Sequence, residues 1–377
     1  MSARFTIDGS QKLEQHLAQV CEDVRSKVQS IVPAGRLEGL VLGGGYGRGE
    51  GGVLRDPGGD LPYNDLEFFV FISGNTHINE KHYRKGLQQA AESLSAIAGI
   101  DVEFKILSLA KLRASTPSMF YYDLMMGHRW LTGDDSLFAG CDHHRDARLV
   151  PLHEATRLLF NRCSGLFYAK ARLQKGSFND ADADFVGRNI AKAKLALGDA
   201  WLTVHGLYDW SCTERHRRLM TLRDEWAPQL SPHHAEGVEF KLHPHRDTAS
   251  AKARLQADHQ QISKLARDLW LHLEGHRVHQ FFPSPRAYAF SRSSLCPETS
   301  SLKNALCNLR SFGLRGLTSR FFSRYPRERL LRALPLLLWD DDSTRADSAL
   351  ISECLFCNDT EVNSAASAYE ALWHQYN

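Results

Sequence analysis

Residues 40–50 of this 377-residue chain read LVLGGGYGRGE, and residues 64–68 read NDLEF. The first motif begins with apolar residues typical of a buried strand and continues with five glycines in seven positions, which predicts a tight turn at the strand end. The second motif places Asp65 and Glu67 two positions apart, so both carboxylates share one face of a predicted strand. These two motifs decide the predicted fold of the N-terminal region.

The segments around the two motifs complete a small α/β arrangement. Apolar residues at helical spacing predict an amphipathic helix over 10–31, and a second helix is expected over about 80–98. The segment 51–62 is rich in Gly, Asp and Pro and is predicted to be a loop. The β-rich segments 65–71 and 100–107 are predicted to be strands.

Acidic side chains recur on the last of these strands. Asp101, Glu103 and Lys105 share one of its faces, because alternate residues of a strand point the same way. We take Asp101 as the third carboxylate of a metal site, with Glu103 as the alternative.

The acids and the glycines together suit phosphate chemistry. Carboxylates held close together repel one another unless solvent or a hard cation such as Mg²⁺ lies between them. Two such ions can clamp the attacking and leaving oxygens of an in-line displacement. The glycines let backbone N–H groups approach phosphate oxygens, and Arg48 offers a cation. Taken singly, a glycine run is often only a tight turn, and alternating acids often mark a solvated strand edge.

The order of these motifs over residues 10–140 resembles the DNA polymerase beta-type nucleotidyltransferase superfamily. In its small bacterial members the signature reads hydrophobic-Gly-Ser-x-Ala-Arg-Gly-Glu, followed by Ser-Asp-hydrophobic-Asp-hydrophobic. The resemblance implies that Gly44 and Gly45 hold the triphosphate of an NTP. It also implies that Asp65, Glu67 and Asp101 bind Mg²⁺ and carry the catalysis.

Three departures from that signature concern the site. Gly45 stands where the family has Ser, which removes a hydroxyl that can donate to phosphate. Glu67 replaces the commoner Asp, and the loop 51–64 is longer than the family pattern. The segment 122–134 is similar to the one that closes the domain in those small members.

After Pro151 the pattern becomes helical and strand signals nearly vanish. Helices are predicted over 152–175, 183–206, 250–278, 328–339 and 362–375. The proline-containing segments 228–245 and 281–301 are predicted to be loops or linkers. The expected fold class is therefore α+β: a nucleotidyltransferase-type mixed sheet with helices over 1–145, then a mostly α-helical domain over 146–377, with a further division near 281–301 as an alternative.

Two basic features of the helical region have candidate roles. The polar side of the helix 183–206 is interpreted first as a solvated face, and the functional alternative is that Lys192 or Lys194 reaches the nucleotide phosphates. The stretch 303–332 holds eight Lys or Arg and one acid. Arginines that cover a helical surface with salt bridges are the preferred interpretation of this stretch. Contact with a polyanion through Arg315, Arg320, Arg324 and Arg327 is the functional alternative.

Composition adds little to the functional prediction. The net charge of +2 gives no overall attraction to nucleic acid or membrane, and no run of 18 apolar residues or secretion signal occurs. The eight cysteines are spread along the chain, which is typical of reduced thiols. A cytoplasmic protein without a transmembrane segment is the expectation.

The predicted reaction transfers a nucleoside monophosphate from an NTP, with ATP expected, to a hydroxyl-type acceptor on a small molecule or a protein. Mg²⁺ is the predicted cofactor, and the site is expected in the cleft between the two domains. The same chemistry directed at RNA is one alternative. A non-catalytic nucleotide-binding or partner-binding module is another.

Overall fold

The computed structural model describes residues 4–246, 251–317, 319–340, 344–357 and 362–376. The chain divides into two compact units, the first formed by Met1–Pro151 with His205–His245 and the second by Leu152–Val204 with Arg246–Asn377. The predicted boundary near residue 145 lies close to the end of the first segment. The prediction placed 205–245 in the helical domain, whereas in the structure this segment belongs to the first unit.

The first unit contains a four-stranded mixed sheet and a separate two-stranded hairpin. The strands are β1 (Leu37–Leu42), β2 (Val53–Asp56), β3 (Gly59–Pro62), β4 (Leu66–Ile72), β5 (Val102–Leu107) and β6 (Arg129–Thr132). The order in the main sheet is β5-β4-β1-β6, in which β4 and β5 are parallel while β1 is antiparallel to both of its neighbours. With helices in both units, the fold is α+β.

The helices are numbered along the whole chain. They are α1 (Gln11–Ile31), α2 (Gly44–Arg48), α3 (Thr76–Ala98), α4 (Leu109–Ala114), α5 (Met119–Met126), α6 (Leu152–Leu173), α7 (Asp180–Val204), α8 (Cys212–Leu219), α9 (Ala227–Leu242), α10 (Lys252–Val278), α11 (Pro285–Ala289), α12 (Ser301–Phe312), α13 (Leu314–Leu317), α14 (Arg327–Trp339), α15 (Arg345–Leu355) and α16 (Val362–Tyr376).

The main sheet is covered on both faces, and the alternation along β4 shows how. Phe68 and Val70 pack with α1 and α3 in one buried cluster. Phe69 and Phe71 point to the opposite face and pack with Leu109, α5 residues and other apolar side chains. Because Glu67 shares the parity of Phe69 and Phe71, its carboxylate belongs to this second face.

Two segments predicted to be loops are structured. In 51–62, β2 and β3 pair in an antiparallel hairpin from Val53↔Pro62 to Asp56↔Gly59. The Pro57-Gly58 pair marks the turn of this hairpin and not an open loop.

The segment 228–245 contains most of helix α9, which corrects the loop prediction. Pro228 lies at the helix start, where a missing backbone N–H removes no hydrogen bond, although Pro232 lies inside the helix. Leu230, His234, Val238 and Leu242 recur every four residues and are all buried. That four-residue spacing is typical of a helix, but the prolines in the segment favoured a loop in the prediction.

The second unit is helical, and its described residues contain no strand. The long helices α6, α7 and α10 pack on one another, and α14 contacts α6 and α10. The helices predicted here agree with the structure to within a few residues. Across the described parts of the chain, no helix combines the length and apolar character needed to cross a membrane.

Candidate metal centre

Three carboxylates converge where β4 and β5 lie side by side. Asp65 immediately precedes β4, and the parallel register aligns Glu67 with Glu103. One side-chain oxygen from each of these three residues lies within 4.8 Å of the other two. Asp65 and Glu103 are exposed and Glu67 is half-buried, so the group is open to solvent.

Asp101, the predicted third carboxylate, is not part of this convergent group. Its backbone carbonyl accepts a hydrogen bond from the N–H of Leu66 at 2.8 Å, and its side chain is exposed. Asp101 and Glu103 lie on the same strand face, so the alternation of side chains along the strand could not show which of them is the third carboxylate. The register of β5 against β4 places Glu103 opposite Glu67.

A lysine lies among the acids. The Nζ of Lys105 is 2.8 Å from Oε1 of Glu67 and 3.8 Å from Oε2 of Glu103. Partial burial alone would lower the pKa of this ammonium, but Glu67, then Glu103 and Asp65, raise it above its usual value. Lys105 therefore stays protonated at neutral pH and offsets part of the negative charge of the group.

The glycine motif lies directly against Glu67. The N–H of Gly43 donates to the backbone carbonyl of Glu67 at 2.9 Å. Gly44 has φ of +60°, and a β-carbon there would lie 3.0 Å from Oε2 of Glu67. A β-carbon on Gly45 would meet the backbone carbonyl of Glu50 at 3.1 Å. The expected turn is the short helix α2, and a side chain at Gly44 or Gly45 would require its neighbours to shift.

Arg48, predicted to bind phosphate, makes a different contact. Its Nη1 is 2.7 Å from Oδ2 of Asp123, and the arginine side chain is 9% exposed. Burial raises the pKa of the Asp123 carboxyl, while Arg48 opposes that rise. A β-carbon on Gly127 would collide with the Arg48 side chain, so the guanidinium is enclosed. The contacts of Arg48 are those of a buried structural cation.

Glu50, the last residue of the glycine motif, has a role that the sequence did not reveal. Its carboxylate accepts hydrogen bonds from the Ser211 hydroxyl at 2.6 Å, the Cys212 N–H at 2.9 Å and the Thr213 hydroxyl at 3.2 Å. Burial would raise the pKa of Glu50, but these hydrogen bonds lower it. Glu50 thereby holds the start of α8 to the glycine motif, which explains why 205–245 belongs to the first unit.

Lys241 is a second residue that sequence reasoning missed. It lies on α9, and its pKa is lowered by burial and then by the positive charges of Arg48 and Arg215. The carboxylate of Glu50 opposes these two arginines, so Lys241 lies near charges of both signs close to the glycine motif. Lys241 was not predicted as a functional residue because it lies in the segment 228–245, which was predicted to be a loop.

The remaining predicted ligands lie in the second unit. Lys192 is on α7, and its contact with a nucleotide stays a prediction. Of the predicted polyanion contacts, Arg315 is on α13. Arg320 pairs with Glu353 at 2.8 Å, and Arg327 donates to the carbonyl of Tyr376 at 2.9 Å. Arg324 donates to the carbonyl of Arg292 at 2.9 Å. Three of the four arginines thus make contacts within the second unit.

Comparison with known proteins identifies no family for this chain, so the geometry of the site is the basis for proposing its function. The chain matches no protein-family model, and no curated protein matches it at a significant level. The convergence of Asp65, Glu67 and Glu103 beside the glycine motif is therefore the main evidence on function.

Proposed function

We propose that this protein is a Mg²⁺-dependent nucleotidyltransferase that transfers a nucleoside monophosphate from an NTP, preferably ATP, to a hydroxyl-type acceptor on a small molecule or a protein. The observation that carries the proposal is the group Asp65, Glu67 and Glu103 beside Gly44. The resemblance of the two sequence motifs to the DNA polymerase beta-type superfamily supports the same chemistry.

The donor set fits a hard divalent cation. All three ligands are carboxylate oxygens within 4.8 Å of one another. Adjacent oxygens of an octahedral Mg²⁺ site are separated by roughly 3 Å and opposite ones by roughly 4 Å, so these side chains would have to move closer together to share one ion. When bound, Mg²⁺ would neutralise charge on the triphosphate and align the attacking and leaving oxygens.

The protein residues would position the phosphate and the metal ligands and balance their charge. Gly44 leaves the space beside the Glu67 carboxylate free, so that a phosphate oxygen can approach the metal ligands without meeting a β-carbon. Lys105 pairs with Glu67 and would balance its charge between turnovers. Glu103, whose side chain is 51% exposed, can accept the proton of the acceptor hydroxyl.

One observation favours a second candidate. The Lys105 ammonium already neutralises part of the acid group, so the group is stable without a metal ion. A non-catalytic nucleotide-binding or partner-binding module would have this property.

The test is Mg²⁺-dependent ATP binding by the full chain, measured by calorimetry, with pyrophosphate release measured in a cell extract that supplies acceptors. We expect Asp65→Asn and Glu67→Gln to abolish pyrophosphate release. Each should also weaken Mg²⁺-dependent ATP binding by at least roughly 10- to 100-fold, the usual loss when a residue that only supports a metal ligand is replaced. Glu92→Gln, an exposed acid on α3, is the matched control and should behave like the parent.

The third carboxylate is tested in the same assay. Glu103→Gln should resemble Glu67→Gln, and Asp101→Asn should have a small effect. Parent-like pyrophosphate release by a folded Asp65→Asn protein would refute the proposal, and ATP binding without any effect of Mg²⁺ would favour the non-catalytic module.

A further inference from the structure

A cavity of about 470 Å³ lies within the helical unit, between the segment after α11 and the segment that leads into α14. Its volume falls in the range of roughly 300–1,000 Å³ that is usual for small-molecule sites. The cavity is lined by four arginines, two phenylalanines and small residues, and none of the described lining residues is a carboxylate. The arginines are Arg292, Arg320, Arg324 and Arg332.

Only part of this positive charge is balanced by carboxylates. Arg332 pairs with the buried Glu328 at 2.7 Å, and Arg320 pairs with Glu353 at 2.8 Å. Arg324 lies only at the 4.0 Å limit from Glu328, which is already paired with Arg332. Arg292 is exposed and makes no side-chain ion pair within the described residues. Arg292 therefore has no carboxylate partner among the described residues, and Arg324 shares Glu328 with the closer Arg332.

The network of Arg332 fixes the cavity wall. Besides Glu328, this guanidinium donates to the backbone carbonyls of Ala289 at 2.9 Å, Ser291 at 2.6 Å and Ser293 at 2.8 Å. The chain after α11 is thus held against α14 by a buried arginine. Arg332 is structural, which leaves Arg292 and Arg324 to meet a ligand.

Two further features describe what such a ligand contains. Ser291 is one of the lining residues, and its hydroxyl oxygen is buried without a hydrogen-bond partner among the described residues. A buried hydroxyl without a partner is costly, and an acceptor oxygen on a ligand would satisfy it. Phe290 and Phe321 supply apolar surface, so a ligand here combines an anionic group with an apolar or aromatic body.

We propose that this cavity binds the phosphate monoester of a small organic molecule, with its phosphate on Arg292, Arg324 and Ser291 and its organic part against Phe290 and Phe321. A phosphate monoester carries close to two negative charges at neutral pH, because its second pKa is about 6. That charge suits Arg292, which has no carboxylate partner among the described residues, together with Arg324, which shares Glu328 with Arg332. Guanidinium groups can also donate two parallel hydrogen bonds to phosphate oxygens. The proposal is independent of the nucleotidyltransferase chemistry of the first unit.

The test uses the full chain without Mg²⁺ and phenyl phosphate as the probe, with binding measured by calorimetry. We expect phenyl phosphate to bind more tightly than inorganic phosphate, since only the former contacts the phenylalanines. Arg292→Gln and Arg324→Gln should each weaken phenyl phosphate binding by about tenfold, a loss typical of one charge-assisted contact. Arg310→Gln, which removes an exposed arginine of the same basic stretch outside the cavity, should leave binding unchanged.

Arg292→Gln keeps the test decisive if Arg324→Gln fails to fold, because the Arg292 side chain is exposed and makes no ion pair within the described residues. Phenyl phosphate binding that Arg292→Gln leaves unchanged would overturn the proposal, and would indicate an anion bound elsewhere, for example at the glycine motif. Salt-sensitive binding of single-stranded RNA that Arg310→Gln and Arg292→Gln weaken equally, without phenyl phosphate binding, would overturn it in favour of a polyanion surface.

Discussion

Gly44 lies so close to Glu67 that a β-carbon on residue 44 would be 3.0 Å from the carboxylate oxygen Oε2. The glycine also has φ of +60°, a conformation that other L-residues adopt at a cost. Two separate requirements, backbone conformation and space beside a carboxylate, thus meet at one residue. They can be separated by experiment, because Gly99 has only the first of them.

Gly44→Ala should lower the stability of the protein and weaken its affinity for Mg²⁺. The stability loss should be about 1 kcal/mol, from the positive φ, and the β-carbon should displace the Glu67 carboxylate. Gly99→Ala, with φ of +72° and no atom within 4 Å of its β-carbon, should lose similar stability and keep the parent affinity. Chemical denaturation and Mg²⁺ titration measure the two effects. Equal Mg²⁺ affinity in both variants would show that the glycine motif does not shape the metal site.

Lys105→Gln should bind Mg²⁺ more tightly than the parent, because the ammonium 2.8 Å from Glu67 competes with the ion. The expected gain is about 1 kcal/mol, or roughly fivefold in affinity, since the lysine is partly exposed to solvent. The pKa of Lys105 is raised, so the difference should stay constant from about pH 6 to about pH 9. Lys111→Gln, an exposed lysine on α4, is the control. Weaker Mg²⁺ binding by Lys105→Gln would indicate that the lysine positions the acids.

Arg48→Met should destabilise the protein by on the order of 3 kcal/mol, because it leaves the Asp123 carboxylate without its buried partner. Arg148→Met removes an arginine of an exposed pair with Asp146 and should leave the stability close to that of the parent, because solvent screens the pair. Denaturant unfolding of both variants is the measurement. The prediction fails if Arg48→Met unfolds like the parent and instead loses ATP affinity, as a phosphate ligand would.

Glu50→Gln should be less stable than the parent at neutral pH by about 1–2 kcal/mol, since the amide replaces a charged acceptor of three hydrogen bonds. The pKa of Glu50 is lowered in the folded state, so the parent's advantage is fully present above the ordinary value of 4.5. That advantage should disappear as the pH falls through the lowered folded-state pKa. Unfolding free energies from neutral to acidic pH test this, with Glu92→Gln as the control. A difference independent of pH would contradict the assigned role.

Local patterns in the sequence predicted the strand that carries Asp65 and Glu67 on one face, the helices α1 and α3, and the long helices of the second unit. Each of these depends on residues a few positions apart, whose periodicity of 2 or 3.6 is visible in a single chain. The same reasoning failed at 51–62 and 228–245, where Gly and Pro outweighed the strand pairing of β2 with β3 and the four-residue spacing of α9.

The sequence by itself determined that acids, glycines and a lysine occur in an order suited to a metal and phosphate site. Only the tertiary structure decided which of them meet: the parallel register aligned Glu103 with Glu67, and the fold enclosed Arg48 with Asp123. It also brought the start of α8 to Glu50, which is 161 residues from Ser211 along the chain. Such contacts depend on how distant segments pack, and alternation along one strand carries no information on the register between two strands.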